Sequence, residues 1–155
     1  ARQLGISRAA ASSYMKNYFE RYPYIHKYME SMIEEARHTG GVVTMFGRFR
    51  KLPDINNKNF NRRSFAERTA MNTPIHGTAA DIMKIAMCKV YKKIKEKNYK
   101  SRLILQVHDE LIVEAVNSEV EELKQLLKRT MEEVVALQVP LIADVHVGIN
   151  WADTK

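Results

Sequence analysis

Three consecutive polar residues, His108-Asp109-Glu110, stand between two short apolar runs in the stretch Leu103–Glu114. The flanking runs are rich in β-branched residues and read as two strands, with the polar triplet as the tight turn between them. Such turns favour Asn-Gly or Asp-Gly, because the backbone there needs positive φ. No glycine is present here. A turn that departs from the local rule and carries ionisable groups instead tends to mark a functional site. The chemistry that fits is a hard-cation site: Mg²⁺ takes oxygen ligands and is commonly held by one or two carboxylates plus substrate phosphates. The tripeptide alone fits a charged, solvated turn better than it fits a metal site.

The elements that must hold this tip lie in a chain of 155 residues, long enough for one domain with a real core. With 45% hydrophobic and 28% charged residues the chain reads as globular, not disordered. Its formal net charge of +7 suits a polyanionic partner, nucleic acid first. The single cysteine, Cys88, excludes an internal disulfide framework and a cysteine-based zinc site. No apolar run is long enough to span a membrane, and no signal-peptide pattern opens the chain, so a cytoplasmic protein is expected. The first residue is Ala1 and already reads as part of an element, which suggests a piece of something longer.

Ser7 is placed to cap a first helix, whose apolar positions Tyr14, Met15, Tyr18, Phe19 and Tyr22 follow helical spacing. Pro23 ends it or opens the next helix. That second helix carries a stripe of Ile25, Tyr28, Met29, Met32, Ile33 and Ala36 and stops at Gly40-Gly41. Both stripes are expected to be core. A small hairpin follows, Val42–Met45 and Phe49–Leu52, around Phe46-Gly47-Arg48. Its cations Arg48, Arg50 and Lys51 suit phosphates, and suit equally an edge strand that must resist aggregation.

The spacing predicts a short helix over Arg62–Met71, with Phe65, Ala66 and Thr69 inward, and a new helix opened by Pro74. The second of these carries Ile75, Ala79, Ile82, Met83, Ala86, Met87, Val90, Tyr91 and Ile94. Arg68, Asn72 and His76 stand four apart in succession, so a continuous helix places them on one face. Arg suits a phosphate, while Asn and His suit base edges or sugars. A solvated face with a salt bridge to Glu67 or Asp81 explains the same residues. Ser118 and Glu121 read as a capping box for a last helix with Val120, Leu123, Leu127, Met131 and Val134 buried and Glu119 on the solvated side. Leu141–Val147 alternates as a strand. The whole reads as α+β, with helices packed on a small antiparallel sheet whose central hairpin carries the His-Asp-Glu turn and whose last strand lies beside it.

These residues resemble a known family. Leu105-Gln106-Val107-His108-Asp109-Glu110-Leu111 is similar to motif C of family A DNA polymerases, the bacterial DNA polymerase I type. Phe46-Gly47-Arg48 through Leu52-Pro53-Asp54 resembles that family's fingers hairpin. Ser64 through Asp81 resembles its helix pair beside the primer–template duplex, and Trp151 its C-terminal ending. The resemblance runs through the whole chain in order.

It implies that Asp109 is one of two aspartates holding a catalytic pair of Mg²⁺ ions. It implies that His108 contacts the primer end and that Glu110 supports the site. Arg68, Asn72 and His76 would follow the minor groove of the new duplex, with Arg48 and Arg63 as further DNA-binding cations; many relatives have Gln where His76 stands. The implied partners are primer–template DNA, deoxynucleoside triphosphates and the N-terminal part of the same polymerase, with no membrane. The other catalytic aspartate and the nucleotide-binding helix belong to motifs upstream of Ala1. On this reading residues 1–155 form one partial polymerase unit: about 1–72 are the rear of the fingers with the small hairpin, and about 73–155 a portion of the palm. The isolated chain would then be inactive. The competing reading is a non-catalytic DNA-binding module. An HD-type phosphohydrolase, suggested by His108-Asp109, would need further His and Asp ligands on helices.

Overall fold

The computed structural model describes residues 5–154. The four residues before them, where Ala1 was expected to be part of an element, lie outside that range. Two compact units result, Ala1–His76 and Gly77–Lys155.

In the first unit, Ser7 has extended backbone and its hydroxyl accepts the Ala10 N–H at 3.1 Å, opening helix α1 (Arg8–Arg21). A cap of this kind stabilises a helix by about 1 kcal/mol. Pro23 is the first residue of α2 (Pro23–Thr39), where its missing N–H costs nothing. Gly40 ends α2 in the left-handed conformation at φ +78° and returns its N–H to the Ala36 carbonyl at 2.9 Å. Strands β1 (Gly41–Val43) and β2 (Phe49–Lys51) pair antiparallel, Gly41 opposite Lys51. The core of this unit is Ala36, Val42, Leu52, Ile55, Ala66 and Ala70.

The apolar stripe of α1 is not core, and that of α2 reaches the core only at its end, where Met29, Met32 and Ile33 are half-buried and Ala36 is buried. No residue of α1 is buried, only Ala36 is buried in α2, and Tyr14, Tyr18, Tyr22, Tyr24, Ile25 and Tyr28 are all exposed. Periodicity showed that one side of each helix is apolar; it carried no information about what covers that side.

Helix α3 (Phe60–Glu96) is a second departure. The two expected helices are one element of 37 residues with Pro74 inside it. A proline there cannot donate to the carbonyl four residues earlier and normally costs about 3 kcal/mol. Tertiary packing outweighs that preference: Ala66, Ala70 and Thr73 are buried, and Arg50 donates to the Thr73 hydroxyl at 3.2 Å. Of the residues expected to face inward, Ala66 does, Thr69 is half-buried and Phe65 is exposed.

In the second unit, β3 (Arg102–Val107) and β4 (Glu110–Glu114) pair antiparallel. Their inner face, with Leu103, Leu111 and Val113, packs against Val90 and Ile94 of α3 and against Leu123 and Leu126 of α4 (Val120–Glu132). The sheet stops at two strands. Residues 141–147 form no ladder, against expectation. They do alternate, with Leu141, Ala143 and Val145 half-buried and Ile142, Asp144 and His146 exposed. The period-two pattern records a half-covered extended segment, but a ladder needs a neighbouring strand, which no local pattern supplies.

The expected capping box is also absent. A short helical turn over Asn117–Glu119 precedes α4, and the capping residue is Glu119, with no side-chain cap bond.

The candidate catalytic hairpin and nucleic-acid face

The turn between β3 and β4 has two residues. Val107 pairs with Glu110, leaving His108 and Asp109 as the loop. His108 takes the positive φ that glycine would normally supply, at +49°. Its carbonyl accepts a hydrogen bond from the Gln106 side-chain amide at 2.6 Å, which fixes the turn from within the strand. His108, Asp109 and Glu110 are all exposed, so the carboxylate of Asp109 stands at the end of a hairpin and not inside the core.

The base of the hairpin is tied down by a knot that the sequence did not reveal. Ser101 immediately precedes β3 and is buried. Its hydroxyl accepts the N–H of Val116, just beyond β4, at 2.9 Å and donates to Glu119 at 2.5 Å. The same carboxylate accepts the N–H groups of Lys100 and Ser101, both at 3.0 Å. The Ser101 hydroxyl first, and then the Lys100 N–H, hold Glu119 below the ordinary carboxylate range. Glu119 is therefore not part of a solvated face. Arg102 and Glu114, the first pair of the ladder, add an ion pair at 2.6 Å. The signal lay in a serine and an acid at the two feet of a predicted hairpin.

A bulge sits between base and tip. Leu103 faces Val113 and Leu105 faces Ile112, which leaves Ile104 as the extra residue. An inserted residue bends the strand and raises its twist. Ile104 and Leu105 are both exposed on the outer face as a result.

In the first unit, Arg68, Asn72 and His76 lie on the one helix α3 and all three are exposed. At 100° per residue they fall within about 80° of each other. The opposite side of the helix carries the core alanines. Arg68 is steadied by donating to the Ser64 hydroxyl at 2.8 Å. Arg48 lies in the exposed turn of the β1–β2 hairpin, beside Gly47. Arg63 is half-buried and engaged within the protein: it donates to the Asn57 carbonyl at 2.9 Å and lies over the Phe60 ring at 5.8 Å. Glu67, expected as a salt-bridge partner on this face, binds Arg37 of α2 at 2.8 Å and also pairs with Arg63 of its own helix at 3.9 Å. The hydrogen bond to Glu67 is the largest influence holding the Arg37 guanidinium above its ordinary range.

Among the described residues no group of three His, Cys, Asp or Glu side chains is placed to hold a metal ion. No helix among them is long and apolar enough to cross a membrane.

The α+β architecture agrees with what comparison with known proteins finds. The chain belongs to DNA polymerase family A, whose sequence profile matches residues 1–153. It is 52% identical over all 155 residues to a DNA polymerase I of Caldicellulosiruptor bescii, of which it covers 18%. It is 53% identical over 152 residues to that of Streptococcus pneumoniae, covering 98% of this chain and 17% of that one. A solved structure described as the POL domain of Pol1 from M. smegmatis in complex with DNA primer-template and dNTP superposes with a TM-score of 0.95 at 41% identity. That match takes in 99% of this chain and 27% of the other. The chain thus spans less than a fifth of the length of the curated relatives described here.

Proposed function

We propose that this chain is the C-terminal part of a DNA-directed DNA polymerase, acting in replication or repair in the cytoplasm. It would carry one side of a two-metal nucleotidyl-transfer site. The observation that supports this reading is the exposed Asp109 carboxylate on a two-residue turn, in a chain that belongs to DNA polymerase family A. The solved relative described with primer–template DNA and a nucleoside triphosphate supports the same partners here.

Asp109 fits a divalent cation by donor type, since oxygen ligands suit Mg²⁺. Among the described residues no group of three such donors forms around it, so it would hold an ion jointly with a carboxylate from another segment of the polymerase. When bound, a Mg²⁺ pair supplies Lewis-acid stabilisation of the charge that develops at the transferred phosphate. The chain's own residues supply position. The Ser101–Glu119 knot fixes the feet of the hairpin, and the Gln106 amide fixes its turn. His108 would meet the primer end, and Glu110, which opens β4, would support the carboxylate beside it. Arg68, Asn72 and His76 would lie along the minor groove, with Arg48 meeting a phosphate. With the second catalytic aspartate and the nucleotide-binding helix supplied by other segments of the polymerase, the chain by itself would not polymerise.

The test is Asp109→Ala in the full-length gene product. Template-directed extension should fall to background, while affinity for duplex DNA stays within about threefold, because cation–phosphate contacts dominate that affinity. Near-normal turnover would remove Asp109 from the site. A wild-type protein that binds DNA and never extends a primer would favour the non-catalytic module.

A further inference from the structure

In the second unit, α3 sends its lysines two ways. Val90 and Ile94 point into the core, and at 100° per residue Lys89 and Lys93 lie about 100° to one side of them. Both are engaged within the protein: Lys89 donates to the Val134 carbonyl and Lys93 to the Thr130 hydroxyl of α4, each at 3.0 Å. Lys84, Tyr91 and Lys95 lie about 100° to the other side and within about 40° of one another. All three are exposed, and so is Lys92 at the edge of the row. The Lys95 ammonium rests over the Tyr91 ring at 5.7 Å. Lys84 has no partner among the described residues, and Lys92 has only the exposed Glu96 at 3.7 Å. No acid stands in the row between Lys84 and Lys95.

We propose that this side of α3 binds single-stranded DNA, held in addition to the primer–template. This rests on the reading of the chain as part of a DNA polymerase. Complementing the helix dipole does not explain the row, because that effect fades within the last turn and Lys84 stands about three turns before the end of α3. The cations instead form a line. From Lys84 to Lys95 it runs about 16.5 Å along the axis, the length of about five steps of one DNA strand. A helix lodged in a duplex groove meets a backbone on each flank. Here only one flank offers free cations, since those of the other are engaged with α4 and the Val134 carbonyl. That matches one strand. An exposed aromatic within a line of cations is the combination that holds single strands without regard to sequence. Tyr91, 53% exposed, fills that place, and its ring holds the Lys95 ammonium in the row.

The experiment measures binding of labelled oligothymidylate to the full-length protein already saturated with unlabelled primer–template, without divalent ions and across a salt series. Lys84→Gln, Lys92→Gln and Lys95→Gln combined should weaken binding by about tenfold and flatten the salt dependence by about 2, at about 0.7 for each lost phosphate contact. Arginine at the same three positions should keep the binding. A control with the same loss of charge, Lys124→Gln, Lys128→Gln and Arg129→Gln on α4, should change it by less than about twofold. Primer extension by the first variant should match wild type. Where that variant fails to fold, Lys84→Gln alone decides, with a salt dependence flatter by about 0.7. An equal loss in the control would show general charge attraction, an unchanged salt dependence would show no contact, and lost binding of polyglutamate but not of oligothymidylate would show an acidic protein partner; each overturns the proposal. A wild-type protein that never extends a primer refutes the polymerase reading, whereas an active enzyme whose oligothymidylate binding ignores these lysines refutes only this site.

Discussion

Position 108 allows backbone geometry to be separated from side-chain chemistry. His108 sits at φ +49°, a region that costs a non-glycine residue about 1–2 kcal/mol. Glycine adopts it freely but gives back about 0.5–1 kcal/mol through the greater freedom of the unfolded chain. His108→Gly should therefore be more stable than His108→Ala by about 1 kcal/mol, although both lack the imidazole. For an unfolding slope of about 1–3 kcal/mol per molar urea, the midpoint for the alanine variant should fall about 0.3–1 M below that for the glycine variant. Urea titration followed by circular dichroism reads this difference directly. Extension assays on the same pair of full-length variants then divide the role of the residue: activity lost equally from both belongs to the ring, and activity kept better by glycine belongs to the turn. An alanine variant as stable as the glycine one would refute the claim that the tip is held in a strained backbone by its surroundings.

Two other perturbations test the scaffold. A Cβ built on Gly41 would lie 2.3 Å from the Arg50 carbonyl oxygen and 2.4 Å from the Phe49 ring, so Gly41→Ala should cost about 1–3 kcal/mol by forcing β1 and β2 apart; an unchanged thermal midpoint would contradict this. The Glu119 carboxyl lies below its ordinary value of 4.5, so its contribution is present above that pH and is lost as pH falls through the folded-state value. The stability advantage of wild type over Glu119→Gln should be steady at neutral pH and shrink below 4.5, as followed by melting temperature across an acid series.

Local chemistry made much of the fold readable. Ser7, Pro23 and Gly40 each act within one turn of their own position, and each does what its side chain dictates. The hairpin of β3 and β4 was readable for the same reason: short runs rich in β-branched residues flank its turn. What depends on distant chain was not readable. The tyrosines of α1 follow helical spacing whether or not anything covers them, and here they are exposed. Residues 141–147 keep a strand's alternation without a strand's partner. Pro74 failed as a boundary because buried neighbours on both sides outweigh one missing hydrogen bond. At the candidate site, the tip was legible from residue type alone. The Ser101–Glu119 knot was not, because its parts lie 18 residues apart and meet only once the hairpin has closed.

Ile104 contributes to this hairpin mainly by being one residue too many. Many side chains could occupy the position, since it is exposed and the ladder passes it by. Removing the residue outright would leave every pair from Leu105 to Val107 and the turn itself intact, yet straighten the arm and re-aim the carboxylate at its end. The direction of that arm is thus encoded in a count and not in an identity. A mutational survey made only of single-letter exchanges would score the position as silent, whereas one that included single-codon losses would find it among the most sensitive in the chain.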